Sequence, residues 1–256
     1  MTRRRFAQAI GGFSILTAPH LAASAEKSKI YVVQNYLLKN GTQLARWHRF
    51  MEHGALPELK RLEAPDSIYL EAMIAPHMPQ AMTIMEFKSF DHWRSIQSAL
   101  AASAAYRQHF SEWETSDEPP YESYSERLLA ATDFNPGLSA SANGPARIFE
   151  YRIYHSPAYR QLQALNERFA GPEIAIFHRT GVQPILYTNA LTGDALPNLT
   201  YLTPFENLAA REKAWAAFTT DPEWLKLRAE SVEKYGQISS VMHISLWRPA
   251  AYSPVR

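Results

Sequence analysis

The sequence predicts an α+β fold in which two βαββαβ units pair sheet to sheet as an α+β barrel. Three observations carry the prediction. The chain resembles itself at an offset of 118 residues, strand and helix signals follow one order in both halves, and a stretch of turn-forming residues separates them.

The chain opens with Thr2-Arg3-Arg4-Arg5-Phe6 and an apolar, small-residue run from Ala7 to about Ala23, then reaches Ala23-Ser24-Ala25. A charged start, a short apolar run and an A-x-A end predict that residues 1–25 are a signal peptide rather than a membrane span. The Arg3-Arg4 pair with Phe6 is similar to the twin-arginine export signal, although Ala7 stands where a Leu is usual. An ordinary Sec signal is the alternative. The expected location is the bacterial periplasm, and the absence of Cys suits an oxidising compartment. Removing this leader takes three Arg and no acid, leaving 23 basic against 25 acidic residues.

The first unit is assigned to residues 26–136. Its opening strand is Ile30–Tyr36, and Phe90, Trp93, Ile96, Gln97 and Leu100 carry the helical spacing after its third strand. Residues 137–146 form the linker, overlapping the breaker-rich stretch from Asn135 to Pro145. The second unit is residues 147–256, opening with the strand Ile148–Tyr154. A helix is expected from about Pro157 to Phe169, interrupted at Ala170-Gly171-Pro172 and ended by Gly181. Strands follow at about Ile185–Ala190 and Leu199–Thr203. Asn207 and Asp221-Pro222 then cap helices, the second of which stops at Gly236, and Ser239–Trp247 closes the unit. At the same offset Met85-Glu86-Phe87 aligns with Thr203-Pro204-Phe205, Tyr106 with Trp224, and Leu128-Leu129 with Leu246-Trp247. This element order is the ferredoxin-like arrangement.

Alternation along the strands assigns their faces. Phe149, Tyr151 and Ile153 form an apolar face expected against the helices. Glu150, Arg152 and Tyr154 are then expected toward the paired sheet, with Val32, Gln34 and Tyr36 their first-unit counterparts. In the last strand Met242, Ile244 and Leu246 are assigned to the helix side, and His243, Ser245 and Trp247 to the opposite one.

The second half resembles the NIPSNAP family, a branch of the dimeric α+β barrel superfamily. The resemblance rests on Phe149-Glu150-Tyr151-Arg152-Ile153-Tyr154, on Tyr201-Leu202-Thr203-Pro204-Phe205, on Leu208–Trp215 running into Asp221-Pro222-Glu223-Trp224, and on the closing Arg248–Pro254. It covers about 148–254 well and about 30–136 weakly. The resemblance implies the barrel fold. The wider superfamily contains cofactor-free monooxygenases, isomerases and haem-binding enzymes, among which fold alone does not choose.

Composition removes several classes of function. With 26 basic and 25 acidic residues, the chain has no surplus of charge to grip nucleic acid. Cysteine nucleophiles and thiolate metal sites are excluded outright. No metal-binding, nucleophile-elbow or phosphate-loop motif is present. The site expected is the polar set Glu150, Arg152 and Tyr154 with His243: Glu and His move protons, and Arg holds a carboxylate or enolate oxygen. The competing reading is a Glu150–Arg152 ion pair that only satisfies a buried sheet face. His178 and Arg179 stand either at the barrel mouth, His178 as a haem ligand, or as cations at a helix end. The function expected is small-molecule binding in the barrel lumen, as a cofactor-free monooxygenase or isomerase. A non-enzymatic protein-interaction module with a filled barrel is the alternative. No cofactor is expected, haem being the exception to consider. The expected partner is a small molecule rather than nucleic acid, with no membrane span in the mature chain and with a homodimer left open.

Overall fold

Both halves contribute four strands to one closed, eight-stranded antiparallel barrel in the order β1-β3-β2-β8-β5-β7-β6-β4. The structure, a computed structural model, describes residues 29–64, 67–116, 118–138 and 145–256. The expected signal peptide and the middle of the expected linker lie outside the described residues. Strands of the first half are β1 (Ile30–Leu37), β2 (Ser67–Ile74), β3 (Gln80–Phe87) and β4 (Ser123–Ala131). Those of the second are β5 (Ile148–His155), β6 (Leu186–Ala190), β7 (Asn198–Phe205) and β8 (Val241–Pro249). Within each half the first strand pairs with the third and fourth, and the second with the third. The seams between halves are β2–β8, irregular between Ala72 and Ile74, and β4–β6. The barrel therefore closes within one chain.

Helices α1 (Gln43–Phe50), α2 (Leu56–Arg61), α3 (Phe90–Ala102) and α4 (Ala104–Glu114) cover the outer face of the first half. Their counterparts are α5 (Tyr159–Arg168), α6 (Ile174–Thr180), α7 (Leu208–Thr220) and α8 (Pro222–Tyr235). Local chemistry sets their ends. The Asn207 side chain accepts from the Ala210 N–H, and Asp221 accepts from the Glu223 and Trp224 N–H groups with Pro222 as the first helical residue. Gly181 ends α6 at φ +92°, a backbone that strains any residue with a Cβ. The expected break between α5 and α6 is a π-helical turn, Phe169–Glu173, in which Gly171 leaves helical geometry. The first half bridges α1 and α2 with the same kind of turn, Met51–Ala55.

The strand faces are the reverse of expectation in the opening strands. Phe149, Tyr151 and Ile153 point into the barrel, where they pack with Tyr31, Val33, Ile84 and Trp247 in one core shared by both halves. Glu150, Arg152 and Tyr154 lie on the outer face, beneath the helices, and Val32 and Tyr36 likewise join helix-side clusters. The reason is satisfaction of buried polarity. At its place in β5 the interior offers Glu150 only apolar neighbours, whereas α7 brings an Arg and a Trp N–H to it. The assignment of β8 agrees with the structure: Trp247 packs in the barrel, and Met242 borders the helix-side cavity described below.

Leu138 and Val255 pack into the interior core from the two segments that leave β4 and β8. Near them Glu86 accepts from Tyr31 Oη (2.7 Å) and from the Leu138 N–H (3.1 Å), and pairs with Lys29. Asn135, at the expected end of the first unit, ties the halves together. It donates to Tyr31 Oη at 2.8 Å and accepts from the Tyr187 N–H at 2.8 Å.

Because Trp247 is fully enclosed by residues of both halves, Trp247→Ala is expected to cost about 3–5 kcal/mol. Asp221→Ala, which removes a cap, is expected to cost only about 1 kcal/mol. Equilibrium urea unfolding checks both, and similar losses in the two variants would contradict the shared-core description.

Candidate functional site

A cavity of about 370 Å³ lies between the outer face of the second-half sheet and its helices. The period of two along β5 directs Arg152 and Tyr154 into it. Helix α7 adds Arg211, Trp215 and Phe218 at helical spacing, α8 adds Trp224 and Arg228, and the broken α5–α6 segment adds Arg168 and Glu173.

Its base is built on a buried carboxylate. Glu150 is fully enclosed and accepts from Arg152 Nε, from Arg211 Nε at 2.6 Å and from Trp215 Nε1 at 3.0 Å. Arg152 also donates through Nη1 to Tyr154 Oη at 2.9 Å, and its guanidinium sits 3.7 Å from the centre of the Trp215 ring. Tyr201 Oη donates to Tyr154 Oη at 2.7 Å. A phenol oxygen has two acceptor positions and one proton. With both acceptor positions of Tyr154 used, its own proton is left for an acceptor in the cavity. Burial opposes the Arg152 charge, but Tyr201, Tyr154 and Glu150 outweigh it and hold its pKa above the usual value. Burial likewise pushes the Tyr201 phenol well above its ordinary value, so that hydroxyl stays a donor.

A second buried acid sits at the break in the helix. Glu173 pairs with Arg168 Nε at 2.7 Å, and Arg168 stacks 4.9 Å from the Trp224 ring centre. Burial pushes the Glu173 carboxyl up to about 7, against the pull of Arg168. Four Arg therefore line the cavity with one Glu, Glu173; Glu150 pairs with two of them from beneath and the exposed Glu212 with Arg211, and protonation of Glu173 makes the cavity more cationic. Arg228 has no ion-pair partner among the described residues.

Of the residues expected from the sequence, Glu150, Arg152 and Tyr154 come together here. His243 does not join them. It pairs in register with Ile153, on the opposite face of the sheet, and borders a recess of about 700 Å³ with Asn35, Gln80, Arg127 and Ser245. His178 and Arg179 occupy the last turn of α6, where Arg179 pairs with Asp221 at 2.7 Å and Glu223 at 2.8 Å. His178 is exposed and borders none of the cavities described here, so it does not fit a haem ligand. Among the described residues no cluster of His, Asp or Glu is arranged to hold a metal ion. Arg211, Trp215, Arg168 and Glu173 join the site without having been expected from the sequence. For α7 the signal was present: Arg211 and Trp215 are four apart and share one helix face.

Comparison with known proteins agrees with the fold. Residues 149–254 match the NIPSNAP family model. A candidate monooxygenase from Fusobacterium nucleatum aligns at a TM-score of 0.58 and 6% identity, over 87% of this chain and 93% of its own. One from Lactobacillus acidophilus aligns at 0.54 and 8% identity, over 87% and 94%. A NIPSNAP-like domain protein from Burkholderia xenovorans shares 27% identity over 42% of this chain and 89% of its own, at a TM-score of 0.36. No curated protein matches the sequence.

Removing the acid beneath the cavity leaves the buried Arg152 guanidinium with no carboxylate, while Arg211 keeps Glu212. Glu150→Ala is expected to destabilise the protein by about 3–5 kcal/mol, and the double variant Glu150→Leu with Arg152→Met by much less. Thermal and urea unfolding of the two variants provide the check.

Proposed function

We propose that the chain is an exported protein made of two NIPSNAP-like units, and that the helix-side cavity of the second unit binds a small anionic molecule. The observation that carries the reading is the cationic lining of the cavity: four Arg and one Glu line it, Arg228 has no ion-pair partner among the described residues, and the Tyr154 proton is unclaimed. A carboxylate or enolate is the group that such a site accepts best, because guanidinium forks match paired oxygens and aromatic walls take the apolar remainder. The leader Arg3-Arg4-Arg5-Phe6 supports export by the twin-arginine route to the periplasm.

Cofactor-free monooxygenase or isomerase chemistry is the activity in keeping with this reading. Both reactions pass through an enolate-like anion, which Arg211 and Arg152 would hold while Tyr154 donates a hydrogen bond to its oxygen. The fold shared with two candidate monooxygenases supports this by analogy only. A protein-interaction module is the second reading, favoured by one observation: Phe149, Trp247 and their neighbours pack the middle of the barrel, beside the recess that Tyr151 and Ile153 border.

Salicylate, an aryl carboxylate, tests the proposal by titration calorimetry. It should bind with one-to-one stoichiometry, and Arg211→Ala should weaken it about tenfold or more. Arg211 is chosen because it is partly exposed and its loss leaves Arg152 on Glu150. Because Glu173 loses its proton near 7, the cavity becomes less cationic as pH rises. Salicylate affinity should fall between about pH 6 and about pH 8, and Glu173→Gln should flatten that dependence. Absence of saturable binding, or binding indifferent to Arg211, would leave the interaction module as the better reading.

A further inference from the structure

The offset of 118 residues that relates the two halves also relates two cavities. A second cavity, of about 350 Å³, lies between sheet and helices of the first half, and most of its lining residues stand at positions equivalent to those of the cationic cavity. The charges have gone. Gln34 stands where the second half has Arg152, Trp93 where it has Arg211, Phe50 where it has Arg168, Ala55 where it has Glu173, and Phe110 where it has Arg228. Val32 replaces the buried Glu150.

These replacements leave a cavity of nearly the same size with a different surface. No Lys or Arg lines it. Aromatic walls surround it, with Phe50 stacked on Trp113 at 4.6 Å and Tyr106 on Phe110 at 5.9 Å between ring centres. At one side lies a polar corner, where Gln34 Nε2 and Tyr124 Oη donate to Glu126 at 3.0 and 2.8 Å, and Gln34 Oε1 accepts from Thr83 Oγ1 at 3.0 Å. That corner is closed on itself, and its one acid repels anions. Four further polar groups of the lining have no protein partner: the buried Trp93 and Trp113 indole N–H groups and Tyr69 hydroxyl, and the half-buried Gln97 side-chain amide. Protein interiors are close-packed, and buried polar groups normally find partners. An aromatic-lined space with spare donors is thus unlike ordinary core.

We infer that the first half holds a second ligand site, selective for a neutral aromatic molecule bearing a hydroxyl or carbonyl group. The rings stack against Phe50, Phe110 and Trp113, and the oxygen accepts from the unpaired indole or amide donors. The inference does not depend on anion binding by the second half.

Naphthol, neutral at pH 7, is the probe, followed by fluorescence titration and calorimetry. One equivalent should bind. Phe110→Arg, which restores the charge found in the other half, should weaken it about tenfold or more, while Arg211→Ala should leave it unchanged. The thermal transition reports whether Phe110→Arg is folded. If it is not, Phe110→Ala takes its place, with a loss of about threefold or more expected. Failure of naphthol to saturate, or a loss of its binding with Arg211→Ala but not with the Phe110 variants, would overturn the inference.

Discussion

Everything in this molecule hangs on the apolar core inside the barrel, because neither half owns it. Tyr31, Val33 and Ile84 from the first half meet Phe149, Tyr151 and Trp247 from the second, and neither sheet could hide that face alone in water. Burying it against the other half closes the ring of strands through the β2–β8 and β4–β6 seams. With the middle of the barrel packed by apolar side chains, the buried Glu150 and its Arg partners lie on the other side of the sheet. The outer faces of the sheets, roofed by helices, become the places where charged side chains and cavities are found. Only α7 and its neighbours carry the donors that a buried Glu150 requires.

The charges beneath those helices are arranged so that each one conditions the next. Glu150 is held by two Arg and a Trp, Arg152 reaches from it to Tyr154, and Tyr201 completes the chain of hydrogen bonds. A carboxylate so enclosed is costly unless every lone pair is used, and its partners are then fixed in place. Glu173 differs in kind: with one Arg and deep burial, its proton is lost only around neutrality. The same cavity therefore combines a fully hydrogen-bonded base with a buried, pH-sensitive acid at the helix break.

Much of the fold was legible because its signals are local. Asn207, Asp221-Pro222 and Gly181 mark helix ends through their own backbone chemistry, and the structure places helix termini at each. The residues of the candidate site were legible only in part. Alternation in β5 separates Phe149, Tyr151 and Ile153 from Glu150, Arg152 and Tyr154, but says nothing about which set faces the helices. That choice is made by Arg211, 61 residues later in the chain, and by the other half of the barrel. Joining His243 to Glu150 failed for a related reason, since pairing register rather than residue type decides which side of a sheet a side chain shares.

A barrel closed by one chain also differs from a symmetric dimer in how it can change. In a dimer of identical chains, any substitution arrives in both cavities at once, so neither can alter alone. Here Trp93 and Arg211 occupy equivalent places but are separate residues, divided by the shared apolar core. Selection can then act on one chamber without touching the other, as long as the common wall between them is kept.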